Sequence, residues 1–268
     1  MKADLHNHSY YSDGFLSPSE VVKLSSKAGC DLFSLTDHDT TEGIAEANSE
    51  AKKLDLRFIN GVEISAFWRN SAIHIVGLGI DIDSDILQSG LEFNRLLRKE
   101  RAEKIALGLW RSGIKDALEK AQKISGGYML TRTHFAQMLI QEGYCKDMKS
   151  VFRRYLTGRK PGGVRAEWKN FDEVINWIQS AGGKALIAHP FRYKMTHTKI
   201  KKMLSDFKFA SGDGFEVVNA NSSKEEITLA DKWSKDFDLL ASIGSDFHGW
   251  PNQRVQIGNL VDLPSTRR

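Results

Sequence analysis

Along the first eighty residues, short apolar runs alternate with amphipathic stretches, a rhythm that predicts strands separated by helices. The opening run ends in Asp4-Leu5-His6-Asn7-His8. Ser17-Pro18-Ser19-Glu20 carries an N-cap serine, a proline at the first helical position and a glutamate that completes a capping box. A helix is therefore expected from there to about residue 28, ended by Gly29. Residues 31–35 read as a second strand that delivers Thr36-Asp37-His38-Asp39, and Thr41 as the cap of a helix reaching about residue 54. Residues 56–64 and 72–80 read as two more strands, carrying Glu63 and His74. From about residue 84 the period changes. Ile86, Leu87, Leu91, Leu96 and Leu97 fall at helical spacing, and helical sequence continues over 117–124, 135–141 and 151–156, with no strong strand before about Val164. A helix over 171–181 is stopped by Gly182-Gly183. Strand-like runs then return at 185–188, 214–218 and 239–243, ending in His189-Pro190, Asn219 and Gly244-Ser245-Asp246-Phe247-His248. The expectation is an α/β chain with a largely parallel sheet or barrel in two stretches, 1–83 and 165–268, around a helical insertion at 84–164.

With 268 residues, the chain is long enough for one large core or a core with a small inserted domain. No apolar run approaches the roughly 18 residues of a membrane helix, and histidines begin at once where a signal peptide would have its apolar segment. Cys30 and Cys145 are the only cysteines, so neither a disulfide framework nor a cysteine-based zinc site is expected, and a cytoplasmic protein with no membrane and no obligate protein partner follows. Charge changes the picture more. Between Arg95 and Arg165 stand 17 Lys and Arg against 6 Asp and Glu, whereas the remainder holds 21 against 28. A basic insertion beside an acidic body points to a polyanionic partner such as a nucleotide or nucleic acid, and to a body that holds divalent cations.

The candidate chemistry lies where the predicted strands end. Residues i and i+2 of a strand share a face, so His6 and His8 can aim both imidazoles at one point. His38, Glu63, His189, Asp246 and His248 fall at the ends of later strands, with His74 inside a neighbouring one. Six of the eight histidines thus belong to one polar set, at the end of the strands where α/β folds place their ligands. A lone histidine of this kind is usually a satisfied core residue; the set, with its carboxylates, suggests a multinuclear metal site.

The His-Asn-His opening, Thr36-Asp37-His38-Asp39, Glu63, His189-Pro190 and Ser245-Asp246-Phe247-His248 together resemble the PHP (polymerase and histidinol phosphatase) family over residues 2–82 and 165–262. The resemblance implies a distorted seven-stranded (β/α)7 barrel holding up to three divalent ions, manganese first, with zinc, iron or magnesium as other choices. It implies His6, His8, Glu63 and Asp246 on a first ion, Glu63 bridging to a second held with His74 and His189, and Asp13, His38 and His248 on a third. Thr131-Arg132-Thr133-His134-Phe135, Gly158-Arg159-Lys160-Pro161-Gly162 and His189-Pro190-Phe191-Arg192-Tyr193 resemble a narrower subgroup, the RNase AM type nucleases and 3′,5′-nucleotide bisphosphate phosphatases.

Phosphoester hydrolysis by metal-activated hydroxide is the expected reaction, since no Ser-His-Asp or cysteine nucleophile is signalled. Glu63, Asp246, His248 and Asp37 are the expected catalytic residues, Asp37 and Asp39 as carboxylates that orient ligand imidazoles. Arg132, His134, Lys160 and Arg192 are expected to hold the phosphate that is not cleaved, although His134 can instead cap a helix and Lys160 can equally be a surface cation. Trp168, Phe191 and Tyr193 are candidates to stack on a base, and His197 reads as an exposed helix start. The expected substrates are nucleoside 3′,5′-bisphosphates or the 5′-phosphorylated ends of RNA. Two other readings are an amidohydrolase, whose bridging lysine at a strand end has no counterpart here because Lys184 begins a strand, and a phosphate-binding module without catalysis.

Overall fold

A computed structural model describes residues 1–251 and 254–264. In chain order the barrel begins with β1 (Ala3–Asp4), α1 (Pro18–Lys27), β2 (Leu32–Leu35), α2 (Ile44–Lys53), β3 (Arg57–Trp68) and β4 (Ser71–Leu78). The helical insertion follows as α3 (Asp85–Arg111), α4 (Ala117–Ile124), α5 (Arg132–Gln141) and α6 (Met148–Val151), the last continuing into one wide turn at Phe152–Leu156. The barrel resumes with α7 (Phe171–Ser180), β5 (Lys184–Ile187), α8 (His197–Phe209), β6 (Gly214–Asn219), α9 (Lys224–Asp236) and β7 (Leu240–Gly244).

The seven strands pair in sequence order. The sheet curls until its first and last strands meet: the Leu5 amide donates to the Ile243 carbonyl at 3.0 Å, and Asn7 bridges Phe247. Four of the six strand pairs are parallel, and β4 runs against both neighbours. That reversal is local in origin. Arg69-Asn70 is a two-residue turn with Arg69 at φ 52°, the left-handed geometry that sends a twisted strand straight back.

Several expected boundaries moved. Ser17 and Glu20 make the full capping box on α1, but α2 begins after Gly43 and not at Thr41. The regular part of β1 stops at Asp4, short of both histidines, and no strand forms at Val164. Thr196 caps α8, and Ser223 with Glu226 makes a full capping box on α9.

The main core lies between β3–β7 and helices α7, α8 and α9, with Ile73, Ile75, Ile178, Phe207 and Phe215 fully buried. The insertion has a second core, built on Ile105, Leu109, Phe135, Leu139 and Leu156. Helix α3 belongs to both: Leu87 and Leu91 join the barrel core, Ile105 and Leu109 the other. Gly90 makes this possible, because a Cβ there would meet the Trp177 ring at 2.3 Å. Among the described residues no helix is long and apolar enough to cross a membrane.

Candidate metal centre

The ends of β2, β5 and β7 and the segment after β1 deliver their polar residues to one point, and β3 and β4 add Glu63 and His74 from within their length; β3 runs on to Trp68, so Glu63 is mid-strand and not at a strand end as expected. The backbone is turned sharply there: Asp39, His189 and Asp246 take φ of 48°, 31° and 57°, left-handed values that bulky residues hold only where the surroundings enforce them.

His6 Nε2 and His8 Nε2 lie 3.1 Å apart although the regular strand has already ended. His6 Nε2 is 3.2 Å from Glu63 Oε2 and 3.4 Å from Asp246 Oδ1; His8 Nε2 is 3.3 and 3.1 Å from the same two oxygens. A four-coordinate ion with N and O donors at about 2.0–2.2 Å spaces those donors by about 3.3–3.6 Å. These five spacings fall within a few tenths of an ångström of that range. Glu63 turns its other oxygen, Oε1, to His74 Nδ1 at 2.9 Å and His189 Nε2 at 3.0 Å, while His38 Nδ1 is 2.9 Å from Oε2. One carboxylate thus faces two donor groups. A third group gathers His8, Asp13, His38 and His248, with His248 Nε2 3.2 Å from Asp13 Oδ1. His248 Nδ1 donates to the Asp246 carbonyl at 2.9 Å, which leaves its Nε2 lone pair facing the group.

These residues fit divalent cations by a further observation. Asp13 Oδ1, His38 Nδ1 and Glu63 Oε2 are buried polar atoms with no hydrogen-bond partner, an arrangement that is costly unless something else completes them. Burial opposes charge on every group, yet His248 and His38 hold the Asp13 carboxyl well below its ordinary range, and His38, His6 and His74 do the same for Glu63. Burial pushes His38 down to about 4 and lowers His189.

The supporting residues differ from expectation. Asp37 touches no imidazole directly: it accepts from Ser9 N–H at 2.8 Å, Ser9 Oγ at 2.6 Å and Ser12 Oγ at 2.6 Å, and reaches His8 only through Ser12. It fixes the loop behind His8. Asp39 points away from the centre to Arg98. The carboxylate that orients a ligand is Glu216, which the sequence reading passed over. Its Oε1 is 2.5 Å from His6 Nδ1, and its Oε2 accepts the His189 amide at 2.7 Å. A buried glutamate inside the apolar run Gly214–Asn219 was the available signal. Glu216→Gln should weaken metal binding about 10- to 100-fold. Titration of metal-free protein with manganese checks this, and an unchanged affinity would remove Glu216 from the centre.

Above the donors lies a cleft of about 760 Å³ between barrel and insertion. Of the residues expected to hold a phosphate, only Arg132 and Arg192 line it. His134 is buried and accepts the Thr131 amide at 3.1 Å, closing the cap of α5; burial drives its ring down to about 4, so it is neutral. Lys160 is exposed outside the cleft. Arg192 bonds Asp246 Oδ2, and that carboxylate holds its guanidinium. In place of the missing two, the cleft has Arg98, Arg101 and Arg165. Burial, with Arg132 and Arg98 alongside, lowers Arg101 to about 9. Trp168 lines the cleft under Arg98, Tyr193 accepts the His74 amide, and Phe191 stacks on Trp233 in the core. His197 is exposed at the start of α8, as expected.

A family model described as PHP domain matches residues 4–208. A 3′,5′-nucleoside bisphosphate phosphatase of Chromobacterium violaceum is 41% identical over 262 residues, covering 97% of this chain and 92% of the relative. A 5′-3′ exoribonuclease of Haemophilus influenzae is 40% identical over 265 residues, covering 98% and 95%. A solved Chromobacterium violaceum structure, described as an amidohydrolase with bound sulfate and no metal, superposes with a TM-score of 0.93 at 40% identity, covering 100% of this chain and 94% of that one. A Bifidobacterium adolescentis structure, 23% identical, has the same fold at a TM-score of 0.85, covering 96% and 91%.

Proposed function

This chain belongs to the PHP domain family and is a metal-dependent phosphoesterase, and we propose that it acts on nucleotides carrying both a 5′- and a 3′-phosphate and on the 5′-phosphorylated end of RNA. The observation that carries the reading is the cation cluster opposite the donors. Arg98, Arg101 and Arg132 face one cleft, and among the described residues neither Arg101 nor Arg132 has a carboxylate partner. Neighbouring guanidiniums repel in a partly buried site, and an anion between them relieves that repulsion while accepting paired N–H bonds. A 5′-phosphate held there leaves the 3′-phosphate of the same nucleotide over the donor groups. A bisphosphate then yields inorganic phosphate and a 5′-mononucleotide; an RNA yields its first 5′-mononucleotide and a new 5′-phosphorylated end. One orientation accounts for the activities named for both relatives.

His6, His8, Glu63 and Asp246 would hold one cation, Glu63 with His74 and His189 a second, and Asp13, His38 and His248 a third. Bound there, divalent cations activate water and neutralise phosphoryl oxygens. Mixed imidazole and carboxylate donors suit manganese, iron or zinc, and manganese is our first choice. Glu216 and the Ser9–Ser12 loop keep the rings in place, and residues 84–164 act as the cap that supplies the guanidiniums. Lys184 pairs with Asp213 on the surface at 2.8 Å, so it supplies no bridging lysine to an amidohydrolase-type centre. Two free, buried cysteines suit a cytoplasmic protein.

The test compares Arg132→Ala with wild type on adenosine 3′,5′-bisphosphate and on adenosine 3′-monophosphate. Loss of a charged hydrogen-bond partner should lower kcat/KM on the bisphosphate by about 10- to 150-fold, equivalent to about 1.5–3 kcal/mol. The monophosphate, with no 5′-phosphate to hold, should change little. A uniform fall on both substrates would mean that the orientation is wrong.

A further inference from the structure

We propose that Phe15 and Trp250 form a stacking platform for the base that follows the scissile phosphate of single-stranded RNA, an inference that rests on the RNA part of the reading above. Phe15 is 50% exposed, and its ring centroid lies 5.3 Å from that of Trp250 at an interplanar angle of 48°. Neither ring lines the cleft, but their residues are bonded directly to Asp13 and His248, which do line it. Each is tied to the other's neighbour in the centre. The Phe15 amide donates to the His248 carbonyl at 2.7 Å, and Trp250 Nε1 donates to the Asp13 carbonyl at 2.6 Å. Gly249, at φ 71°, makes the left-handed turn that brings Trp250 back towards Asp13, and Gly14 packs so closely on His8 that a Cβ would lie 2.5 Å from its carbonyl oxygen. The pair is therefore fixed relative to the donor groups. Trp250 also meets His134 edge-on at 6.2 Å, which joins the platform to the cap.

The chemistry of the rim selects the ligand. With the 5′-phosphate among the arginines and the next phosphate over the donors, the following nucleotide has to leave the cleft across its rim. Trp168 and Tyr193 line the cleft itself and Phe191 is stacked in the core, whereas Phe15 is half exposed. Every base has a π-face, so stacking there holds the chain without reading its sequence. A nucleoside bisphosphate ends at the scissile phosphate and has nothing to place on the platform.

The experiment measures kcat and KM of manganese-loaded wild type, Phe15→Ala and Phe15→Tyr on a short 5′-phosphorylated oligoribonucleotide and on adenosine 3′,5′-bisphosphate. Phe15→Ala should lose about 5- to 100-fold in kcat/KM on the RNA, mainly through KM. It should match wild type on the bisphosphate, and Phe15→Tyr should restore RNA cleavage. An unchanged rate on RNA overturns the platform. So does an equal loss on both substrates, because Phe15 would then act only by holding His248. Wild type that cleaves the bisphosphate but not RNA overturns the RNA reading itself, and is seen before any variant is made.

Discussion

Glu63→Gln should lower hydrolysis of a 3′,5′-bisphosphate by at least about 10³-fold, a loss of about 4 kcal/mol in transition-state stabilisation. Glu63 is fully buried, and each of its oxygens faces a different donor group, Oε2 towards His6, His8 and His38 and Oε1 towards His74 and His189. Glutamine keeps the shape but removes the charge and replaces one acceptor by an NH2 that can only donate. Both groups are spoiled by one substitution. The apolar core is elsewhere, so the circular dichroism spectrum and unfolding midpoint should stay near wild type while the metal content of the purified protein falls. A chelator should silence wild type in the same way, and manganese should restore it. Full activity of Glu63→Gln in chelator would dismiss the centre as the seat of hydrolysis.

Asp39→Ala should cost about 3–5 kcal/mol of stability, the scale for breaking a buried ion pair on one side. Asp39 is fully buried and Arg98 is 8% exposed. Asp39 Oδ2 accepts from Arg98 Nε at 2.7 Å, and Oδ1 accepts from Ser65 N–H at 2.9 Å and Asn94 Nδ2 at 2.7 Å. These bonds fasten α3, and with it the cap, to β3. Alanine strands the guanidinium and must also hold the left-handed backbone at φ 48°. Asp39→Asn, which tolerates that backbone and keeps an acceptor oxygen, should cost clearly less. Urea unfolding of the two variants measures the difference. A loss below about 1 kcal/mol for alanine would class the pair with weak surface bridges.

What was legible in the chain is what local rules govern. The strand and helix alternation follows from side-chain periods of 2 and 3.6, and the start of α1 from a serine, a proline and a glutamate within four residues. His6 and His8 could be paired on paper because two residues of extended chain bring their rings to one side, even though the regular strand stops at Asp4. His38, His189, Asp246 and His248 were legible as polar residues closing apolar runs, whereas Glu63 and His74 lie inside their strands. Other features depended on segments far apart in sequence. Glu216 looks like any glutamate until β7 and the first segment close the barrel and bring the β6 carboxylate against His6, 210 residues away. His134 and Arg132 are two residues apart on one helix start, yet one is turned into the cap and the other into the cleft. Lys160 and Arg101 are both cations of a basic insertion, and only the packing of α3 decides that Arg101 faces the cleft and Lys160 the solvent. Sequence by itself determined which elements form and which residues end them, since hydrogen bonding and periodicity act within a few residues. Tertiary structure alone decided which cations face the cleft and which carboxylate meets His6, because the direction of a side chain is set by what packs against it from elsewhere in the chain.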